Sequence, residues 1–221
     1  MKRTRYVILF LLIVLSVFSG RAFGASSCTQ AISTQAKELW LSGAFKVADT
    51  YKIALYTDTA NWNATTTQYS ATNEASGTNY TAGGYTCTDT TVSASSTTAL
   101  LDFTTLTESS VTLLAPVSCA LVYDSTLNNS SCTAANAPYP CCTGSGAGTC
   151  SNAVLGVFTF SDVQPSAGTL TITFPASGAT TSTFRIALQR LWDFWLGTAW
   201  ASERVDVKIA IMGLQIKAFG R

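Results

Sequence analysis

Five short stretches of this chain alternate apolar with polar or small residues, and that period of two constrains the fold more than any other feature. They are Tyr51/Ile53/Leu55, Leu101/Phe103, Val117/Cys119/Leu121/Tyr123, Leu170/Ile172/Phe174 and Phe184/Ile186/Leu188. Side chains on a strand point alternately to opposite faces, so each stretch reads as a strand with one buried face. Between them lie turn-rich segments such as "NEASGTNYTAGGY", "DSTLNNSS", "QPSAGT" and "FPASGAT". Short strands separated by such turns predict a mainly β fold, an antiparallel β-sandwich or barrel. Composition agrees: only 11% of residues are charged and 47% are hydrophobic, so Thr, Ser and Asn must supply the outward positions. Those residues suit strand faces better than helices.

Two segments break the pattern. Residues 34–45, "TQAKELWLSGAF", predict one short N-terminal helix in which Ala36, Leu39, Trp40 and Phe45 share a face, Thr34 caps the start and Gly43 ends the helix. Near the other end, "LQRLWDFWLGTAW" spaces Leu188, Leu191, Trp192, Trp195, Leu196 and Ala199 as a helical stripe. Val205, Val207, Ile209 and Ile211 then alternate as a strand. The expected organisation is a leader at 1–24, a β-sandwich domain at 25–187 with a cysteine-rich loop insertion at 128–152, and an aromatic-rich helix–strand tail at 188–221. Trp192, Phe194, Trp195 and Trp200 concentrate in that tail and are the candidate interface residues, since large aromatics commonly anchor protein contacts.

The leader carries Lys2, Arg3, Arg5 and Arg21 with no acid, around an apolar run at 6–18 that is too short to span a bilayer comfortably. It has the parts of a secretory signal with cleavage after Gly24; an uncleaved anchor, which would be the only membrane contact, and a misassigned start are the alternatives. The rest of the chain holds nine basic and twelve acidic residues, a net of −3, scattered without a basic patch. Phosphate-backbone binding has little to act through, so nucleic acid is not an expected partner.

Seven cysteines remain to be placed. Cys132, Cys141, Cys142 and Cys150 lie within nineteen residues. A tetrathiolate zinc site needs ligands in separated pairs, whereas vicinal Cys141 and Cys142 project in different directions, so two disulfides in a protruding loop are expected. Of the three connectivities, joining Cys132 to one vicinal cysteine and Cys150 to the other needs least rearrangement. Cys28, Cys87 and Cys119 are left as an odd set, with Cys119 read as a small core residue.

Catalytic chemistry finds little support. The chain contains no histidine, which removes Ser-His and Cys-His arrangements and the commonest metal ligand. Asp49, Asp58, Glu74, Asp89, Asp102, Glu108, Asp124 and Asp162 are spread singly and read as solvated turn and cap residues. The "GSGAG" run lacks the following Lys-Ser/Thr of a phosphate loop. No catalytic residue, cofactor, resident metal or small-molecule substrate is expected. The sequons at Asn63 and Asn79 fall in a Thr- and Asn-rich stretch that produces such triplets by chance.

The order of the segments "AKELWLSGAF", "YKIALYTDTANWNATTTQYSATNEASGTNYTAGGYT", "APVSCALVYDST" and "AVLGVFTFSDVQPSAGTLTITFPASGATTSTFRIA" resembles a group of small structural proteins of tailed bacteriophages. The likeness covers about residues 36–187 and is most specific in "KIALYT", "GTNYTAGG" and "LTITFP". It implies a β-rich, non-enzymatic virion protein, a head decoration or a tail or neck component, whose partners are other virion proteins or copies of itself. The leader, the cysteine-rich insertion and the tail lie outside the pattern. The leader and the sequons favour the alternative, an exported, periplasmic or extracellular, bacterial surface or adhesin-like binding module.

A processed leader has a direct consequence. The intact mass of the protein from its native source should correspond to a chain starting at Ala25, and a mass that includes residues 1–24 would refute cleavage.

Overall fold

The computed structural model describes residues 27–41, 43–95, 98–127, 151–175, 183–191, 204–211 and 215–219. The expected mainly β, antiparallel architecture is what it shows. One five-stranded sheet orders β1 (Ala31–Ile32), β9 (Ala153–Val163), β8 (Val117–Asp124), β2 (Tyr51–Thr57) and β4 (Tyr85–Thr86). A second sheet orders β13 (Gln215–Phe219), β10 (Gly168–Thr173), β7 (Leu106–Leu113) and β3 (Gly77–Thr78). The third orders β12 (Arg204–Ile211), β11 (Phe184–Leu191), β6 (Thr98–Asp102) and β5 (Thr91–Ser95). Every pairing within them is antiparallel.

The N-terminal helix, α1 (Thr34–Leu41), is shorter than the expected 34–45. Gly43 stops it in the left-handed region at φ 69°. The Gly43 N–H bonds the Trp40 carbonyl and the Ala44 N–H bonds the Leu39 carbonyl, the Schellman pattern that satisfies the last carbonyls of a helix. Ala36 and Leu39 are buried, and Trp40 meets Phe45 edge to face at 6.1 Å.

The main core lies between the sheets. Ile53 and Leu55 of β2, Ala120 and Val122 of β8, and Leu155 and Phe158 of β9 pack with Val111 of β7, Leu170 and Ile172 of β10, and Phe184 of β11. A fully buried aliphatic side chain is worth about 1.5–3 kcal/mol, so this cluster supplies the bulk of the folding drive.

The strands at the centre of the first sheet depart from the one-face expectation. All eight residues of β8 are buried, and in β2 Ala54 and Tyr56 are as fully buried as Ile53 and Leu55. The opposite face carries its own cluster of Ala54, Tyr56, Cys119, Leu121, Tyr123 and Val157, covered by Cys28, Ala60, Trp62 and Tyr69. Val117 does not share a face with Cys119, because a register irregularity between the two turns it into the main core.

The cover is the irregular segment 58–76. Its backbone is tied in at Trp62 and Ala64, whose carbonyls accept the Thr29 and Thr34 N–H groups, at Tyr69, whose N–H reaches the Asn152 carbonyl, and at Ala75, whose N–H reaches the Leu55 carbonyl. A Cys28–Cys119 disulfide spans 91 residues and pins the chain entering the fold to the middle of β8. Cys119 is therefore buried, as expected, but it is half of a cross-link and not a lone core residue.

The tail also differs from expectation. Leu188–Leu191 continue β11 as strand, so the helical stripe does not begin at Leu188 and β11 crosses the boundary expected at 187/188. Pairing decides this: β12, whose alternation was expected, matches β11 along its whole length from Phe184↔Ile211 to Leu191↔Arg204. β13 joins the second sheet against β10 and buries Ile216 in the main core. The strands of the tail are thus structural members of two sheets.

Loss of the cross-link should be costly. Closing a loop of this length removes on the order of 4–5 kcal/mol of unfolded-state entropy. A Cys28→Ala/Cys119→Ala variant is expected to unfold at markedly lower temperature than the parent protein. A reductant should lower the melting temperature of the parent by clearly more than that of the variant.

Candidate functional site

Glu74 is the only charged residue between Asp58 and Asp89, and within the covering segment it sits at the centre of a polar cluster. Its two oxygens accept from three donors. Tyr69 Oη donates to Oε2 at 2.5 Å, while Tyr80 Oη at 2.9 Å and the Gly83 N–H at 2.8 Å donate to Oε1. Tyr123 Oη on β8 donates to the Gly83 carbonyl at 2.7 Å, and its ring stacks on Tyr69 at 4.7 Å. Tyr56 Oη donates to the Ser70 carbonyl. Burial first, and the Glu74 charge with it, hold the phenols of Tyr56, Tyr69 and Tyr80 far above their ordinary value, so they stay protonated donors. Gly84 allows the next strand to pass: at φ 73°, a Cβ there would run into the Ile53 carbonyl and the Ala54 Cα. The cluster is an organising device, since its carboxylate is committed to structural donors.

A second carboxylate is buried at the far end of β8. Asp124 Oδ1 accepts the Thr126 and Leu127 N–H groups, closing the turn that follows the strand. Burial, and after it the Asp49 carboxyl beside it, push Asp124 up to about 7 against those two N–H bonds. Asp49 itself accepts the Lys46 N–H at 2.7 Å. Asp102 is buried too and accepts the Thr183 N–H at 2.7 Å. For Glu74, Asp102 and Asp124 the reading as solvated residues is therefore corrected: each is at least partly withdrawn from water and bonded to the fold. Asp124 keeps the capping role.

The described residues also form a concave surface of about 400 Å³ between α1, the start of β2 and the third sheet. Trp40, Phe45, Tyr51, Leu101 and Phe184 are among the residues that line it. Trp40 meets Phe184 edge to face at 5.7 Å, and Phe45 lies against Tyr51.

Several expected sites can now be placed. Cys132, Cys141, Cys142 and Cys150 lie outside the described residues, as do Trp192, Phe194, Trp195, Trp200 and the leader. Cys87 is a buried thiol without a disulfide, raised well above its ordinary value by burial, which makes it inert. The side-chain nitrogen of Asn79 donates to the Ser109 and Ser110 carbonyls of β7, so a glycan there would displace a structural contact. Asn63 Oδ1 accepts from the Thr65 N–H and hydroxyl. Among the described residues no three His, Cys, Asp or Glu side chains cluster as metal ligands would.

Comparison with protein-family models, with curated proteins and with solved structures finds no match to this chain.

The raised Asp124 links stability to pH. Its folded value lies above that of an unfolded Asp, so its contribution is complete below about pH 4 and is lost as the pH rises through about 7. With no histidine in the chain, few other groups titrate in that window. The melting temperature is expected to be higher at pH 5 than at pH 8. An Asp124→Asn variant should flatten that difference, and an unchanged pH profile in it would assign the effect elsewhere.

Proposed function

We propose that this protein is a non-enzymatic structural protein of a bacteriophage virion, a head decoration or a tail or neck component, acting through contacts with other virion proteins or copies of itself. The observation that carries the reading is the exposed edge of the third sheet. β5 ends that sheet among the described strands, and Thr91, Val92, Ser93 and Ala94 are all exposed. A monomeric protein blunts such an edge with lysine, proline or a bulge. Here the residues are small and uncharged, which suits strand-to-strand addition by a neighbouring subunit. The resemblance to phage structural proteins supports the same reading.

The Cys28–Cys119 disulfide favours a second reading, an exported surface or adhesin-like module, because such bonds persist in oxidising compartments. Fractionation of the native source distinguishes the two. Peptides of this chain in density-purified particles are expected for the structural subunit, and recovery only from the cell envelope or the medium would establish the surface module instead. In the particle case a Ser93→Lys variant, with its charge on the open edge, is expected to fold normally and fail to incorporate.

A further inference from the structure

We propose that β5 is a homodimer edge: the strand pairs antiparallel with β5 of a second copy of this chain, about a two-fold axis at Ser93. The inference rests on the reading of β5 as a contact edge and names what fills it.

The edges of the three sheets differ in what they offer. Of the strands that end a sheet among the described residues, β1, β3 and β4 are two residues long and present almost no ladder. The longer ones are β5, β12 and β13. The sequence of β12 carries Arg204, Asp206 and Lys208, and β13 has an exposed Lys217 at its centre. Charge, lysine above all, is how a sheet edge is kept from pairing. β5 runs Thr91-Val92-Ser93-Ala94-Ser95, with no charge and no proline, and the nearest charged residues along the chain, Asp89 and Asp102, lie outside it. Among the described edges it alone is both long enough to pair and left unguarded.

The same lack of charge selects a second copy over a foreign strand. A contact between two different chains gains specificity from opposite charges set against each other. A two-fold contact sets the strand against itself, so a charge at the axis meets its own like. An antiparallel pair of β13 strands would put Lys217 against Lys217, while the same operation on β5 puts Ser93 against Ser93. In that register Val92 lies opposite the partner's Ala94 and Thr91 opposite the partner's Ser95, so the whole strand pairs. Val92 has the most to gain. It is 60% exposed, yet it stands in register with Leu101, and Leu101 with Phe184, in one row across the third sheet. The partner's Ala94 continues that row and covers the valine, as cross-strand neighbours on one face do. Two four-stranded sheets thereby become one continuous sheet.

Sedimentation and light scattering of the purified full-length protein over a range of concentrations test this. One pair of short strands is a small interface, so a dimer with a dissociation constant in the micromolar range is expected. Ser93→Lys and Ser93→Glu should each melt close to the parent protein and weaken dimerisation by about tenfold or more, since each sets like charges face to face. Mixed in equal amounts, the two variants should form a heterodimer at least as tight as the parent dimer, because lysine then meets glutamate at the axis. Lys217→Glu, on another edge, should leave the dimer intact. The proposal fails if the parent stays monomeric up to about a millimolar, if either Ser93 variant dimerises like the parent, if their mixture stays monomeric, or if Lys217→Glu dissolves the dimer. A monomer that is still recovered in particles overturns the homodimer and leaves the subunit reading standing with a different neighbour. A dimer recovered only from the envelope or the medium upholds the homodimer and overturns the virion reading.

Discussion

The burial of β8 on both faces is the constraint on which the rest of the structure depends. A central strand in a sandwich normally needs one buried face, and its other face can meet water. Here Ala120 and Val122 face the main core, while Cys119, Leu121 and Tyr123 face a second one. Among the described residues no sheet covers that second face; the irregular segment 58–76 does. A segment without regular structure must find partners for its backbone groups one by one, and it does so on β2, on the start of β9 and on the chain leading into α1. The Cys28–Cys119 cross-link and the Glu74 cluster are the two fasteners, one covalent and one built from hydrogen bonds. Remove the cover and Leu121, Tyr56 and Val157 become exposed together.

This division explains where function can reside. The first sheet is enclosed and offers little to a partner. The third sheet is open at β5, and where it meets α1 and β2 it leaves an aromatic groove. The proposed subunit contact thus lies on the third sheet, away from the covered face. β11 and β12 build that sheet and β13 contributes Ile216 to the main core, so the strands after residue 187 belong to the body of the fold.

Much of the scaffold is legible in the sequence. Alternation marks β2, β8, β10, β11 and β12, and Gly43 marks the end of α1, because strand pleat and the left-handed C-cap leave direct residue signatures. Both-face burial is less legible. Ala54 and Tyr56 look like the outward set of an alternating strand, and only the arrival of a distant loop buries them. Cys28 and Cys119 stand 91 residues apart with no spacing rule to join them. Glu74 did leave a signal: a lone charge in a thirty-residue uncharged stretch, flanked by Tyr69 and Tyr80, marks a position kept for a purpose. The opening of β11 misleads because Leu188 and Leu191 satisfy a helical stripe as well as a strand, and pairing with β12 decides between them. The groove has no local signature at all, since α1, β2, β6 and β11 bring its walls from four separate parts of the chain.

Hydrogen exchange of the wild-type protein at the amides of segment 58–76 tests the central claim most directly, because protection reports bonded, closed backbone whatever its regular structure. The covering segment accounts for the buried second face only if it is held there. The amides of Tyr69 and Ala75, bonded to the Asn152 and Leu55 carbonyls, should therefore exchange slowly, together with those of β8. If those two amides exchange as fast as an unstructured peptide while β8 remains protected, the segment is not a built layer, and the account of the second core is wrong.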